Sequence, residues 1–157
     1  MNKRLIPFAL FVGLLFGCDD GGESNAGSAK GDASSSSYAL PTAYASLPKK
    51  KGGACDFDRH PSQGDDRLIS GWAMISAKDG TLAEAMVLGF SSNGSEKFVV
   101  SPMLKREDVA KYFNNPALID SGFGVSLKRS EIAAGAKVTV YQVFQGALYA
   151  CDVNVTL

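Results

Sequence analysis

Across residues 54–157, apolar and polar side chains alternate in short runs separated by turn-forming dipeptides at intervals of roughly ten residues. That is the pattern of an all-β sandwich or barrel. Residues 54–58 read as a first short strand carrying Cys55, and residues 67–76 as a second. Asp79-Gly80 reads as a hairpin turn into residues 82–90, where Leu82, Met86, Leu88 and Phe90 share one face. Asn93-Gly94 is the strongest hairpin signal in the chain, because both residue types tolerate the positive φ angles of a two-residue turn. It leads to a strand over residues 96–101. Residues 102–113 shift to a helical period, with Ser101 as the expected cap, Pro102 in the first turn, and Val109, Tyr112 and Phe113 on one face. Phe123, Val125 and Leu127 then alternate with Gly124, Ser126 and Lys128, a half-buried strand. A single capped helical turn is expected over residues 130–135, ending at Gly135. Val138, Val140 and Phe144 belong to a long strand that Gln145-Gly146 turns into the last one. There Tyr149, Cys151, Val153, Val155 and Leu157 are expected to face inward. The sum is an Ig-like β-sandwich of about seven antiparallel strands with one short crossover helix, over residues 52–157.

Ahead of that domain the pattern changes. Residues 5–16 are almost wholly apolar and follow Lys3 and Arg4. The run is shorter than the ~20 residues that a spanning helix needs. A basic start followed by a short apolar core reads as an export signal. Its end, Leu15-Phe16-Gly17-Cys18, resembles the lipobox of bacterial lipoproteins, although Phe16 is bulkier than the usual residue there. The resemblance implies cleavage after residues 1–17 and a lipidated Cys18 holding the chain to a membrane. One acyl chain binds only marginally, so stable anchoring takes more than one; bacterial lipoproteins typically carry three. Asp19 resembles the inner-membrane retention signal of enteric bacteria, while other bacteria read later positions. The expected address is therefore the inner or outer membrane of a bacterial envelope, with the domain in the periplasm or at the surface. Residues 18–51 are expected to be a disordered tether. Residues 19–37 are mostly Asp, Gly, Ser, Ala and Asn and cannot bury enough apolar surface to order themselves. Residues 38–54 add Tyr38, Leu40, Tyr44 and Leu47, and are expected to be semi-extended and partly docked on the domain.

The anchor changes the reading of the cysteines. The chain has three, and lipid on Cys18 leaves Cys55 and Cys151, an even number in an oxidising compartment. They are expected to pair. Charge excludes one class of partner: without Lys3 and Arg4 the chain carries 14 basic and 16 acidic side chains, which argues against nucleic acid. Lys49-Lys50-Lys51 is a local basic cluster, expected to be solvated.

Ile69-Ser70-Gly71-Trp72-Ala73, Arg106-Glu107-Asp108-Val109-Ala110, Ser121-Gly122-Phe123, and Gly135 before Val138-Thr139-Val140 together resemble a small β-sandwich module of bacterial envelope proteins and of the ends of some membrane glycosyltransferase-like proteins. The resemblance implies an accessory or binding module rather than a catalytic unit. Cys55, Trp72 and Tyr149-Ala150-Cys151 also echo the immunoglobulin Cys…Trp…Tyr-x-Cys pattern. The two cysteines lie too far apart for that family, and no strand follows the one bearing Cys151.

Candidate chemistry is sparse. Asp56, Asp58, Asp65 and Asp66 flank one polar loop and are weak candidates for a hard cation such as Ca2+, but their spacing is not that of an EF-hand, and a solvated loop is the expectation. His60 is the only histidine, which excludes zinc sites needing two or more. With Ser62, Asp65 and Asp66 nearby it defines the alternative of an envelope hydrolase, yet no nucleophile elbow or oxyanion motif accompanies it. Trp72 is expected at the centre of the core, the alternative being a sugar-stacking platform. Tyr112, Phe113 and Tyr141 form a candidate aromatic surface. Arg106 and Asp108 are expected to pair or to hold the crossover against the sheet. No phosphate loop or dinucleotide fingerprint occurs. The sequence thus predicts a lipid-anchored, non-enzymatic domain without a cofactor, binding an envelope protein or glycan, with a structural subunit joining neighbours through an edge strand as a further alternative.

Overall fold

Alternation on the long strands divides the domain into two sheets with a shared interior. The computed structural model describes residues 38–58, 64–151, 153 and 155–157; Cys18, His60 and Ser62 lie outside them. The strands are β1 (Lys49–Lys51), β2 (Ala54–Phe57), β3 (Asp66–Met74), β4 (Ala85–Ser92), β5 (Ser95–Ser101), β6 (Met103–Leu104), β7 (Gly122–Lys128), β8 (Lys137–Phe144), β9 (Ala147–Ala150) and β10 (Val155–Thr156). One sheet runs β1-β9-β8-β4-β5, with β10 also paired to β8; the other runs β2-β3-β7-β6. All pairs are antiparallel except β1 with β9. Ile69, Phe123, Val125 and Leu127 of the smaller sheet meet Met86, Leu88, Phe90, Val138 and Val140 of the larger one in a single buried cluster. The all-β expectation holds. Ten strands replace about seven because β1, β6 and β10 are pieces of two or three residues.

The two-residue turns form as their sequences predict. Asn93 and Gly94 take φ of 50° and 77° and join β4 to β5. Gln145 and Gly146 do the same between β8 and β9. Asp79-Gly80 also turns tightly, closed by a bridge between Ser76 and Thr81. It is no hairpin between the flanking long strands, however: β3 and β4 belong to different sheets, so the chain crosses the sandwich there.

Three local expectations are corrected. Helix α2 is only Glu107–Tyr112, because Met103–Leu104 is claimed by pairing with β7. Ser101 caps nothing; its hydroxyl is spent on the carbonyls of Pro102 and Gly124 and accepts the Gly124 N–H. Residues 130–135 form turns rather than a helical turn. The last strand breaks after Ala150. Its register on β8 steps from Tyr141↔Ala150 to Val138↔Val155, which leaves two extra residues on the outer strand, a bulge. Val153 consequently faces solvent instead of the core, while Cys151 stays 4% exposed.

The Cys55–Cys151 disulfide forms, with 6.2 Å between Cα atoms. It links β2 of the smaller sheet to the end of β9 in the larger one. Residues 38–51, within the segment expected to be tether, are folded onto the domain. Phe98 N–H donates to Tyr38 O, a short helix α1 (Thr42–Ala45) follows, and β1 pairs with β9. Leu40, Tyr44 and Leu47 pack on the outer face of the larger sheet, over Val87, Phe98, Tyr141, Val143 and Leu148. This strap buries apolar side chains that would otherwise sit in water.

One residue between the sheets is out of keeping with its place. Gln142 is fully buried, and neither atom of its amide meets a hydrogen-bonding partner. A buried, unpartnered polar group costs about 1–3 kcal/mol. Gln142→Met, close in volume, is therefore expected to raise the urea unfolding free energy by about 1 kcal/mol or more; an unchanged or lower midpoint would mean the amide is satisfied.

Candidate functional site

The outer face of the smaller sheet is where polar and aromatic side chains converge. On β7 the outward positions are Gly122 and Gly124, and the smallness of both has a purpose. A Cβ at Gly122 would lie 2.7 Å from Leu104 O and 2.8 Å from Arg106 Cγ; one at Gly124 would lie 2.9 Å from Leu104 Cδ1. Glycine lets the connection from β6 to α2 settle directly onto the sheet. Arg106 N–H is tied to Ile119 O, and Arg106 O receives Ala110 N–H in the first turn of α2.

From that position the Arg106 side chain reaches in two directions. Nε and Nη2 bind the Asp108 carboxylate at 2.9 and 2.8 Å. Nη1 binds both oxygens of Asp58, at 3.1 and 3.0 Å, and Ser70 donates to the same carboxylate at 2.8 Å. The two-pronged contact holds Asp108 down to about 2 and raises Arg106 further. The pair expected between Arg106 and Asp108 is present, and it also holds the crossover to the sheet. Asp58, 48 residues away, completes it, and nothing in the sequence ties it to Arg106.

Beside this ion cluster runs a row of rings. Trp72 meets Phe113 edge-on, with centroids 5.6 Å apart, and Phe113 meets Tyr112 edge-on at 4.9 Å. Trp72 and Phe113 are half-buried, whereas Tyr112 is 82% exposed. Together with Asp56, Arg106, Asp108 and Val109 they line a groove of about 420 Å³. That volume lies in the range of small-ligand sites, and the mixture of ring faces with a few fixed polar groups is their usual composition.

Trp72 is therefore not the core residue it was expected to be. Ile69, Gly71 and Ala73 point inward on β3, so Trp72 points out. The central place is taken by Phe123, fully buried and seated against Gly71, where a Cβ would lie 2.6 Å from its ring. The expected aromatic surface is also divided. Tyr112 and Phe113 line the groove, but Tyr141 is 7% exposed beneath the strap on the other sheet. Its hydroxyl donates to Glu96 at 3.0 Å and the Lys49 ammonium lies 5.0 Å from its ring.

Burial, reinforced by the Glu96 charge, pushes the Tyr141 phenol up to about 12. A pKa raised above the unfolded value near 10 contributes stability that is present below pH 10 and is lost as pH rises through about 12. In a phenolate absorbance titration one of the five tyrosines is expected to ionise last, near 12, and Glu96→Gln is expected to bring it down. A curve without a phenol that ionises near 12 would contradict the packing beneath the strap.

The four aspartates of the cation candidate do not meet. Asp56 pairs with Trp72 and Asp58 with Ser70, while Asp66 stands at the far end of β3 opposite Lys128. At ~3.3 Å per residue that separates them by about 13–20 Å. Asp65 and Asp66 are exposed, and no group of three or more metal-ligating side chains occurs among the described residues. The hydrolase alternative rests on His60, outside the described residues, and on Asp65 and Asp66, at the end of β3 remote from the groove. No family model, no curated protein and no solved structure matches the chain.

Proposed function

We propose that the chain is an exported bacterial lipoprotein, anchored through lipid on Cys18, whose Ig-like β-sandwich is a non-catalytic module that binds an envelope glycan in the Trp72–Phe113–Tyr112 groove. One observation carries the reading: the Tyr112 ring is 82% exposed yet braced by Phe113 beside an open groove. A large ring held in water on a fixed support is suited to stacking on the apolar face of a sugar, and the fixed carboxylates suit its hydroxyls. The lipobox-like end at Cys18, the short apolar run before it and the Cys55–Cys151 bridge support an exported address. Two sheets tied by an inter-sheet disulfide support the Ig-like form.

The test uses the full chain in a sugar-free non-ionic detergent, titrated with envelope glycan fragments. Tyr112→Ala is expected to weaken binding about tenfold, the factor equivalent to 1.4 kcal/mol, with unfolding unchanged because the ring is exposed. Binding that ignores this substitution would remove the groove from the function. Cys18→Ala is expected to move the protein out of the membrane fraction, and unchanged fractionation would refute the lipid anchor.

A further inference from the structure

We infer that the groove selects sugars bearing a free amine, with Asp56 as the group that reads the ammonium. The inference rests on the glycan reading above and narrows it. Charge carries it. Among the described residues lining the groove, Arg106 is the cation, and its nitrogens are committed to Asp58 and Asp108. It therefore has little to offer an anionic ligand. Asp108 is likewise occupied by Arg106, at 2.8 Å.

Asp56 is different. It is exposed on β2 beside Trp72, its register partner, and its Oδ1 accepts the Phe57 N–H at 2.9 Å. Among its described residues the groove thus presents one uncommitted carboxylate, an ion cluster of two carboxylates around one guanidinium behind it, and three rings beside it. Aromatic faces near an anion attract an ammonium twice over, through the ring quadrupole and through the charge. An acidic ligand would meet Asp56 with no uncommitted cation to offset it among the described residues lining the groove. An amino sugar fits both parts, with an apolar ring face for Tyr112 and an ammonium on the same ring for Asp56.

The experiment titrates the full chain with a β-1,4-linked glucosamine tetrasaccharide, with its fully N-acetylated counterpart, and with a lysine-rich peptide. The amine form is expected to bind about tenfold more tightly than the acetylated form, and the preference should shrink as salt is raised. Asp56→Asn keeps an acceptor for the Phe57 N–H and removes only the charge; it is expected to erase the preference while leaving acetylated binding and the unfolding midpoint in place. Equal binding of the two sugars, or a preference that survives Asp56→Asn, overturns the amine inference and leaves the glycan reading standing. Failure of both sugars to bind overturns the inference and the glycan reading together. So does a lysine-rich peptide that binds through Tyr112 while the sugars do not.

Discussion

Replacing Cys55 and Cys151 by alanine is expected to lower the unfolding free energy by about 4–5 kcal/mol. The bridge spans 96 residues, and the chain-entropy model gives a loop of that size ~4.7 kcal/mol. Domains of this size are stable by only about 5–15 kcal/mol, so the variant is expected to be marginal at body temperature. Both cysteines are also buried, at 6% and 4% exposure, so alanine leaves small voids where the two sheets meet. The measurement is a urea unfolding curve in which slope and midpoint are fitted separately. The slope is expected to steepen, because the denatured chain without its cross-link exposes more surface. A loss below about 1 kcal/mol would show that the denatured chain stays compact without the bridge.

Phe123→Ala and Trp72→Ala are expected to part company. Phe123 is fully buried at the centre of the sandwich, and removing a ring from such a place costs about 3–5 kcal/mol. Trp72 is half-buried on the outer face, so its loss is expected to cost about half as much, roughly 2 kcal/mol. Binding should follow the opposite order. Trp72→Ala should abolish glycan binding at temperatures where it remains folded, while Phe123→Ala should bind normally whenever it is folded. A Trp72 variant that binds normally would reduce that ring to packing.

The strands and the disulfide were legible because both follow from parity. Period-two alternation located β7 and β8, and the even number of cysteines left once Cys18 is read as the lipidated one paired Cys55 with Cys151. The misreading of Trp72 has the same root. Large residues were assigned to the interior, but the inward side of β3 is Ile69, Gly71 and Ala73, kept small by Phe123 from the neighbouring strand. Only a partner strand supplies that information. Asp79-Gly80 has the same turn chemistry whether the next strand pairs with β3 or crosses to the other sheet, so it could not tell one from the other. The groove was half legible. Arg106 and Asp108 sit two residues apart and announce each other, whereas Asp58 joins them only through the fold. The docked strap was hinted at by Leu40, Tyr44 and Leu47, too few apolar positions to define a period.

The strap and the disulfide together set how the domain answers a pull from its N-terminal side. Tension would first reach the Tyr38 contact with Phe98 and the packing of Leu40, Tyr44 and Leu47, and then β1, a three-residue edge strand that can be peeled from β9. Peeling would stop at Cys55, which is covalently fastened to the opposite sheet. Freed residues 38–54 would add at most about 60 Å of reach at ~3.5 Å each. The groove lies wholly between Cys55 and Cys151, inside the closed covalent loop. A tug would therefore lengthen the leash before it could deform the grip.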